Sequence, residues 1–293
     1  MRVADCMRSA SRGRLSGMQM QTTVVIDAED SRLDVFRALA DRDGRRQLEA
    51  TMIVAEGANV VARMLTSRHV ATRVVGDAPA IAALVDRGLA GEFGPGVLDR
   101  VELLVVDSDM LADVVGFTVN QRIVGVGERA APWTAHDVLL GARRVLLLEG
   151  LNDHVNLGVI FRTAHALGVD AVLLDRRCAD PLYRRCVRTS MGWALHQPWA
   201  WVEDTVTAMA DLRAEGFVVL ATTPDDDAAD VTDIPVGRRS RFAIALGAEG
   251  PGLSREALAI ADRRVTIPMH SEVDSLNVAV AAGIIVHALR PRA

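Results

Sequence analysis

Three short stretches carry residue types that suit chemistry better than packing. The first is NLGVIFRTAHALG at 156–168, where Asn156 and Arg162 stand among small and apolar residues at the start of what reads as a core helix. The second is LGAEGPGL at 246–253, with Glu249 set among three glycines and a proline. In the third, IPMHSEVDSLNVAVAAG at 267–283, Ser275 and Asn277 open a run rich in Ala and Val. Each has an ordinary reading. Asn156 can cap a helix and Arg162 can be a solvated charge. The glycine stretch can be a strand-to-helix turn capped by Ser254, and Ser275 can be an N-cap. Asn277 is harder to dismiss, because Asn is a poor helix former. The chemical reading is that an amide and a guanidinium near a helix N-terminus make an anion site suited to phosphate. Glycines then let backbone approach a ligand closely, and the polar residues of the third stretch line a pocket.

Such residues need strand ends to hold them. RVLLLE at 144–149 reads as a buried strand directly before the first stretch. Further strands are expected near 171–174, 217–222, 242–246 and 265–268, with helices between them and a long one over about 277–289. This is a parallel sheet covered on both faces, whose ligands bind at the carboxyl ends of the strands. Upstream, strands at 51–54, 72–75, 101–106 and 123–126 alternate with helices at 31–41, 58–67, 79–89 and 107–115, forming a separate small α/β unit. The expected limits are a disordered tail at 1–22, a first domain at 23–128, a linker at 129–138 and a second domain at 139–293. Met1, Met18 and Met20 all remain possible starts of the chain.

Composition narrows the chemistry. All 33 basic residues are arginine. Without lysine, a Walker-type phosphate loop and Schiff-base catalysis both fall away. Cys6, Cys178 and Cys186 show neither disulfide nor zinc spacing, so no metal is expected, and Cys178 and Cys186 read as small buried residues. No apolar run is long enough for a membrane span and no secretory signal is visible, so a cytoplasmic protein is expected. The net charge of −5 argues against nucleic acid, yet Arg176, Arg177, Arg184, Arg185 and Arg188 cluster, as do Arg238, Arg239 and Arg241. A local basic patch can serve phosphate contact on an acidic protein, and an ordinary solvated face is equally compatible.

NLGVIFRTA, LGAEGPGL and IPMHSEVDSLNVAVAAG, in this order, resemble the three motifs of the SpoU (TrmH-type) family within the SPOUT superfamily of RNA methyltransferases. The resemblance covers about 140–290 and includes VRTSMG at 187–192; the upstream unit, with Glu56-Gly57 before a helix, is similar more loosely to a small substrate-binding domain. One departure is Ser271, where the family usually has Gly. The resemblance implies a SPOUT-type parallel sheet with a C-terminal trefoil knot. It implies S-adenosylmethionine as cofactor, contacted by Leu246, Gly247, Ile267 and Leu276. It implies 2′-O-methylation of a ribose in structured RNA, ribosomal RNA before tRNA, by a homodimer joined through the catalytic domain. An inactive RNA-binding relative is the alternative. The catalytic residues carried over are Asn156, Arg162, Glu249, Ser275 and Asn277.

The reaction class sets what these residues must do. A ribose hydroxyl is weakly acidic and must be aligned with the methyl donor and relieved of its proton. Arginine is a poor base, with a pKa above about 12, so Arg162 is expected to hold the adjacent phosphate and stabilise developing alkoxide, with Asn156 positioning it. A rival signal is GVGERA at 125–130, a loose GxGxxA after a strand, which would suggest a dinucleotide site; Pro132 follows at once and no acidic residue is suitably placed.

Overall fold

The structure is a computed structural model that describes residues 21–117, 119, 121–225, 227–237, 240–270 and 275–290. The tail at 1–20, with Met1, Cys6, Met18 and Met20, lies outside the described residues, as do Arg238, Arg239 and Ser271. The chain divides into two compact units, one of residues 1–130 with 182–196, the other of 131–181 with 197–293.

The first unit contains β1 (Thr22–Val24), α1 (Asp34–Arg37), α2 (Arg42–Thr51), β2 (Met52–Glu56), α3 (Ala58–Thr66), β3 (Val70–Gly76), α4 (Ala78–Leu89), β4 (Glu102–Val105), α5 (Ser108–Val115) and β5 (Ile123–Glu128). Its mixed sheet runs β1-β4-β3-β5-β2, with β5 antiparallel to both neighbours. Strand β1 begins inside the stretch read as a tail. The stretch 31–41 holds a 3-10 turn and the short α1, and α2 is a helix the sequence reading lacks. α2 is polar almost throughout, which hid it from an apolar periodicity; it buries Glu49. GVGERA is no dinucleotide loop. Gly125 and Gly127 sit within β5, where an added Cβ would meet Met64 Cε at 2.6 Å and Val70 O at 2.7 Å, so these glycines serve close sheet packing.

The second unit opens with α6 (Ala135–Leu139), which occupies part of the stretch read as a linker and starts with a capping box between Thr134 and Asp137. There follow β6 (Arg144–Glu149), α7 (His154–Ala166) and β7 (Ala171–Leu174). The chain then supplies α8 (Arg184–Thr189) to the first unit, where it packs on β2. It returns through β8 (Trp199–Trp201), α9 (Thr205–Ala214), β9 (Val218–Thr222), β10 (Ala229–Asp230), β11 (Phe242–Gly247), α10 (Arg255–Ile260), β12 (Arg263–Thr266) and α11 (Val278–Ala288). The sheet is wholly parallel in the order β10-β12-β9-β11-β6-β7-β8. Central strands buried on both faces explain the near-continuous apolar runs of β6, β7 and β11. One face buries Val145, Leu147, Leu173, Val219 and Ala245 under α9 and α10. On the other side α7 and α11 pack together. No helix among the described residues is long and apolar enough to cross a membrane.

Among the described residues, most of the clustered arginines are engaged. Arg176 pairs with Glu203, Arg177 with Glu149 and Asp175, and Arg184 and Arg188 with Glu56. Arg241 donates to the carbonyls of Ala142 and Glu215 and stacks on Phe217. Sequence proximity gathered the cations, but folding gave carboxylates to four of the six that are described, which cancels much of their field at a distance. Cys178 and Cys186 are both buried.

Candidate active site

The site forms where β6 and β11 end side by side. Gly247 is the register partner of Glu149. After β6 the chain turns at Gly150, in the left-handed region at φ +67°, and enters α7. Asp153 is the N-cap of α7, its carboxylate accepting from Asn156 N at 2.8 Å. Asn156 is therefore not the cap, and its side chain is free for another task.

That task is set by Asn277, which is itself the N-cap of α11. Its Oδ1 accepts from Ala279 N at 3.0 Å and Val280 N at 3.3 Å. Its Nδ2 donates to Asn156 Oδ1 at 2.9 Å and to Glu249 Oε1 at 2.8 Å. The two backbone donors require oxygen at one end of the amide, so nitrogen must face Asn156 and Glu249. Ser275, expected as the cap, stands two residues earlier; it is exposed and lines a cavity instead. Thus one amide from each of two helices and the glycine-loop carboxylate meet at a single point.

Arg162 does not join them. Six residues of helix carry it about 9 Å along the axis and about 120° around from Asn156. It is exposed and lies on the face that carries Val155 and Val159, both exposed. Val280 and Ile284 are exposed on the neighbouring helix α11. Asn156, the side chain expected to position Arg162, is bonded to Asn277, as is Glu249.

Two cavities flank the Asn277 bridge and share Ala248, Glu249, Pro251, Gly252, Leu253 and Val278. One, about 510 Å³, is walled by Leu246, Gly247, Ile267, Ser275 and Leu276, with Thr222, Met269 and Asn277. All four expected cofactor contacts therefore line one space. The glycine loop is folded tightly on itself: Gly252 N donates to Ala248 O at 2.9 Å, and Gly250 and Gly252 have φ of +89° and +68°. A Cβ on Gly247 would lie 2.1 Å from Gly252 C and 2.2 Å from Leu253 N. Gly247 is thus demanded by the loop's own backbone, and not, as the sequence suggested, only by a ligand's approach.

The second cavity, about 520 Å³, is walled by Glu149, Asn152, Asp153, Asn156, Arg177 and Glu249. The sequence reading missed Glu149, Asp175 and Arg177 here. Glu149 Oε2 accepts from Ser254 N at 2.9 Å and its Oε1 from Arg177 Nη2 at 2.8 Å, which ties the start of α10 to the loop after β7. A carboxylate closing the apolar run RVLLLE was the available signal. Cys178, next in the chain, donates its thiol to Leu148 O, and burial pushes its pKa up to about 12, so it is an inert core residue.

Comparison with known proteins identifies the family. The sequence profile of the SpoU rRNA Methylase family matches residues 143–287. An uncharacterized tRNA/rRNA methyltransferase of Mycobacterium bovis is 43% identical over 263 residues, which span 89% of this chain and 88% of that protein. The chain belongs to the SpoU family of RNA methyltransferases. The 23S rRNA (guanosine(2553)-2′-O)-methyltransferase of Bacillus subtilis is a more distant relative, 32% identical over 65% of this chain and 73% of its own length. The fold is that of the AdoMet-bound rRNA methyltransferase of Sinorhizobium meliloti, with a TM-score of 0.73 over 92% of this chain and 98% of that one at 24% identity. Within this SpoU chain, the meeting of Asn156, Glu249 and Asn277 brings the three motifs to one place.

Proposed function

We propose that this SpoU protein transfers a methyl group from S-adenosylmethionine to a ribose 2′-oxygen of structured RNA, ribosomal RNA in preference to tRNA. The observation that carries the reading is the Asn277 amide, which joins the three motifs at the boundary of two cavities. The cavity walled by Leu246, Gly247, Ile267 and Leu276 fits the cofactor: apolar side chains suit adenine, and exposed loop backbone suits its polar parts. When bound, the cofactor supplies an electrophilic methyl on a positive sulfur. Met269 and Leu276 exclude water beside it, and Ser275 orients the nucleotide from the same wall.

The protein's own task is to align the hydroxyl and manage its proton. Asn156, locked by Asn277, presents its amide NH2 toward the second cavity and positions the ribose. Arg162 holds the phosphate next to the reacting ribose and stabilises charge growing on the 2′-oxygen, while phosphate or water takes the proton.

Homodimerisation belongs to the same proposal. Val155, Val159, Val280 and Ile284 leave apolar surface exposed on two packed helices, which a second copy would cover. Arg162 continues that stripe, so in the dimer it lies at the interface. A trefoil knot is consistent with β12 lying beyond β9 while α11 returns to α7. The first unit is assigned to RNA binding.

The test is methyl transfer from tritiated S-adenosylmethionine to rRNA and to tRNA, each taken from a strain lacking the gene. Label in rRNA that survives as alkali-resistant dinucleotides is expected. Transfer to tRNA alone would reverse the RNA preference, and label on bases would remove the 2′-O assignment.

A further inference from the structure

The donor and the product of methyl transfer differ by one methyl group and one charge. S-adenosylmethionine carries a sulfonium, whereas S-adenosylhomocysteine carries a neutral thioether in its place. All their other atoms are the same. Apolar walls do not favour the donor, because a charge is costlier than a thioether to bring against them. A site that prefers the donor needs a negative charge beside the sulfur. The cavity walled by Leu246, Gly247, Ile267 and Leu276 supplies one. Among the described residues its lining holds two carboxylates, Asp225 and Glu249, and no arginine or histidine.

The two carboxylates are not equivalent. Asp225 Oδ2 lies 3.5 Å from Arg264 Nη1, which offsets its charge. Glu249 Oε1 accepts from the neutral amide of Asn277 at 2.8 Å, and among the described residues Glu249 makes no ion pair. That bond fixes the direction of the carboxylate and leaves its charge uncompensated. Its place matters as much. Among the residues common to both cavities, Glu249 alone is charged. A methyl group passing to a ribose held at Asn156 must cross the wall that they share. The other cavity does not reverse the sign. It adds Glu149 and Asp153 against Arg177, whose guanidinium is already paired with Glu149 and Asp175. Glu249 is exposed, so salt screens its field over a Debye length, about 10 Å at 0.1 M.

We infer that Glu249, held by Asn277 at the wall shared by the two cavities, selects the sulfonium donor over its neutral product. The inference rests on the methyl-transfer reading above and adds how the same cavity lets the spent cofactor go. The positive charge leaves with the methyl group, and the attraction to Glu249 leaves with the charge. S-adenosylhomocysteine is then a weak competitor of S-adenosylmethionine.

The experiment is calorimetry on the full chain, without RNA, using S-adenosylmethionine, S-adenosylhomocysteine and sinefungin. Sinefungin carries an ammonium where the donor has its S–CH3, so it keeps the charge without the methyl group. At low ionic strength both cations should bind about tenfold more tightly than S-adenosylhomocysteine, as for one partly screened charge pair. Added salt should shrink that preference. Glu249→Gln keeps an oxygen for the Asn277 bond and removes the charge. It should bring the three affinities within about twofold of one another by weakening the two cations alone. Asp225→Asn should retain most of the preference, because Arg264 already offsets that carboxylate. The inference is overturned if wild type binds S-adenosylhomocysteine as tightly as the donor, or sinefungin no better than S-adenosylhomocysteine. It is equally overturned by a preference that survives Glu249→Gln or high salt. Equal weakening of all three ligands by Glu249→Gln would make Glu249 a brace of the glycine loop and sink the inference, with cofactor use still standing. No binding of any of the three removes the cofactor reading and this inference together.

Discussion

Asn277 Nδ2 lies 2.9 Å from Asn156 Oδ1 across 121 residues of chain, and the same nitrogen reaches Glu249 Oε1 at 2.8 Å. Since Asn277 Oδ1 is consumed by capping α11, one amide does two separable jobs. Asn277→Ser keeps an N-cap and loses the bridge. Its melting temperature should stay within about 3 °C of wild type, whereas methyl transfer at saturating substrates should fall by about 10²-fold. Asn277→Ala should lose the same activity and also about 1 kcal/mol of stability in a denaturant titration. Equal activity of the Ser variant and wild type would mean that the bridge is incidental.

Arg162→Ala should lower the single-turnover rate by about 10²-fold or more with cofactor affinity little changed. Arg162→Lys should not restore it, because an ammonium cannot hold phosphate and hydroxyl oxygen together. A variant as fast as wild type would return Arg162 to an ordinary surface charge.

Gly247→Ala should damage the glycine loop itself, because the new Cβ would overlap Gly252 and Leu253 backbone. Both cofactor binding by calorimetry and thermal stability should drop, the latter by about 1–3 kcal/mol. Loss of binding at unchanged stability would show that the ligand, not the loop, requires glycine there.

Val280→Arg places a charge on the exposed stripe that the dimer would cover. Sedimentation velocity is expected to show a dimer for the wild type and a monomer for the variant, with the monomer still folded by circular dichroism. A dimer that survives the substitution places the interface elsewhere.

His69 provides a pH dependence in the first unit. Burial, and secondarily the charges of Arg68 and Arg129, lower its pKa to about 4 from an ordinary 6.5, and its Nδ1 accepts from Ala130 N at 3.0 Å. The imidazole is therefore kept neutral in the folded state. Because the folded pKa lies below the unfolded one, this contribution is present above pH 6.5 and is lost as pH falls through about 4. Denaturant titrations between these limits should show a decline of up to about 3 kcal/mol that His69→Gln largely removes. An equal decline in the variant would assign it to the carboxylates.

What could be read along the chain was whatever leaves a local pattern. The central strands of the second unit are short apolar runs because both faces of a parallel sheet are buried. The three loops were visible because glycine and polar residues interrupt those runs at strand ends. α2 escaped because its only buried residue is a glutamate, and β8 because three residues are too few to show a period. The arginine clusters left two readings open because a sequence shows cations but not the carboxylates that folding brings to them.

By itself, then, the sequence determined two α/β units and which loops carry polar side chains, since periodicity and turn chemistry act over a few neighbouring residues. Only the tertiary structure decided that Asn277, not Ser275, caps α11 and closes on Asn156 and Glu249. It alone turned Arg162 away from them toward the face of Val155 and Val159, and clamped Arg177 between Glu149 and Asp175. The physical reason is that a side chain's partner is chosen by where separate strands and helices end in space. Bonds spanning 28 to 121 residues leave no trace in the local order of amino acids.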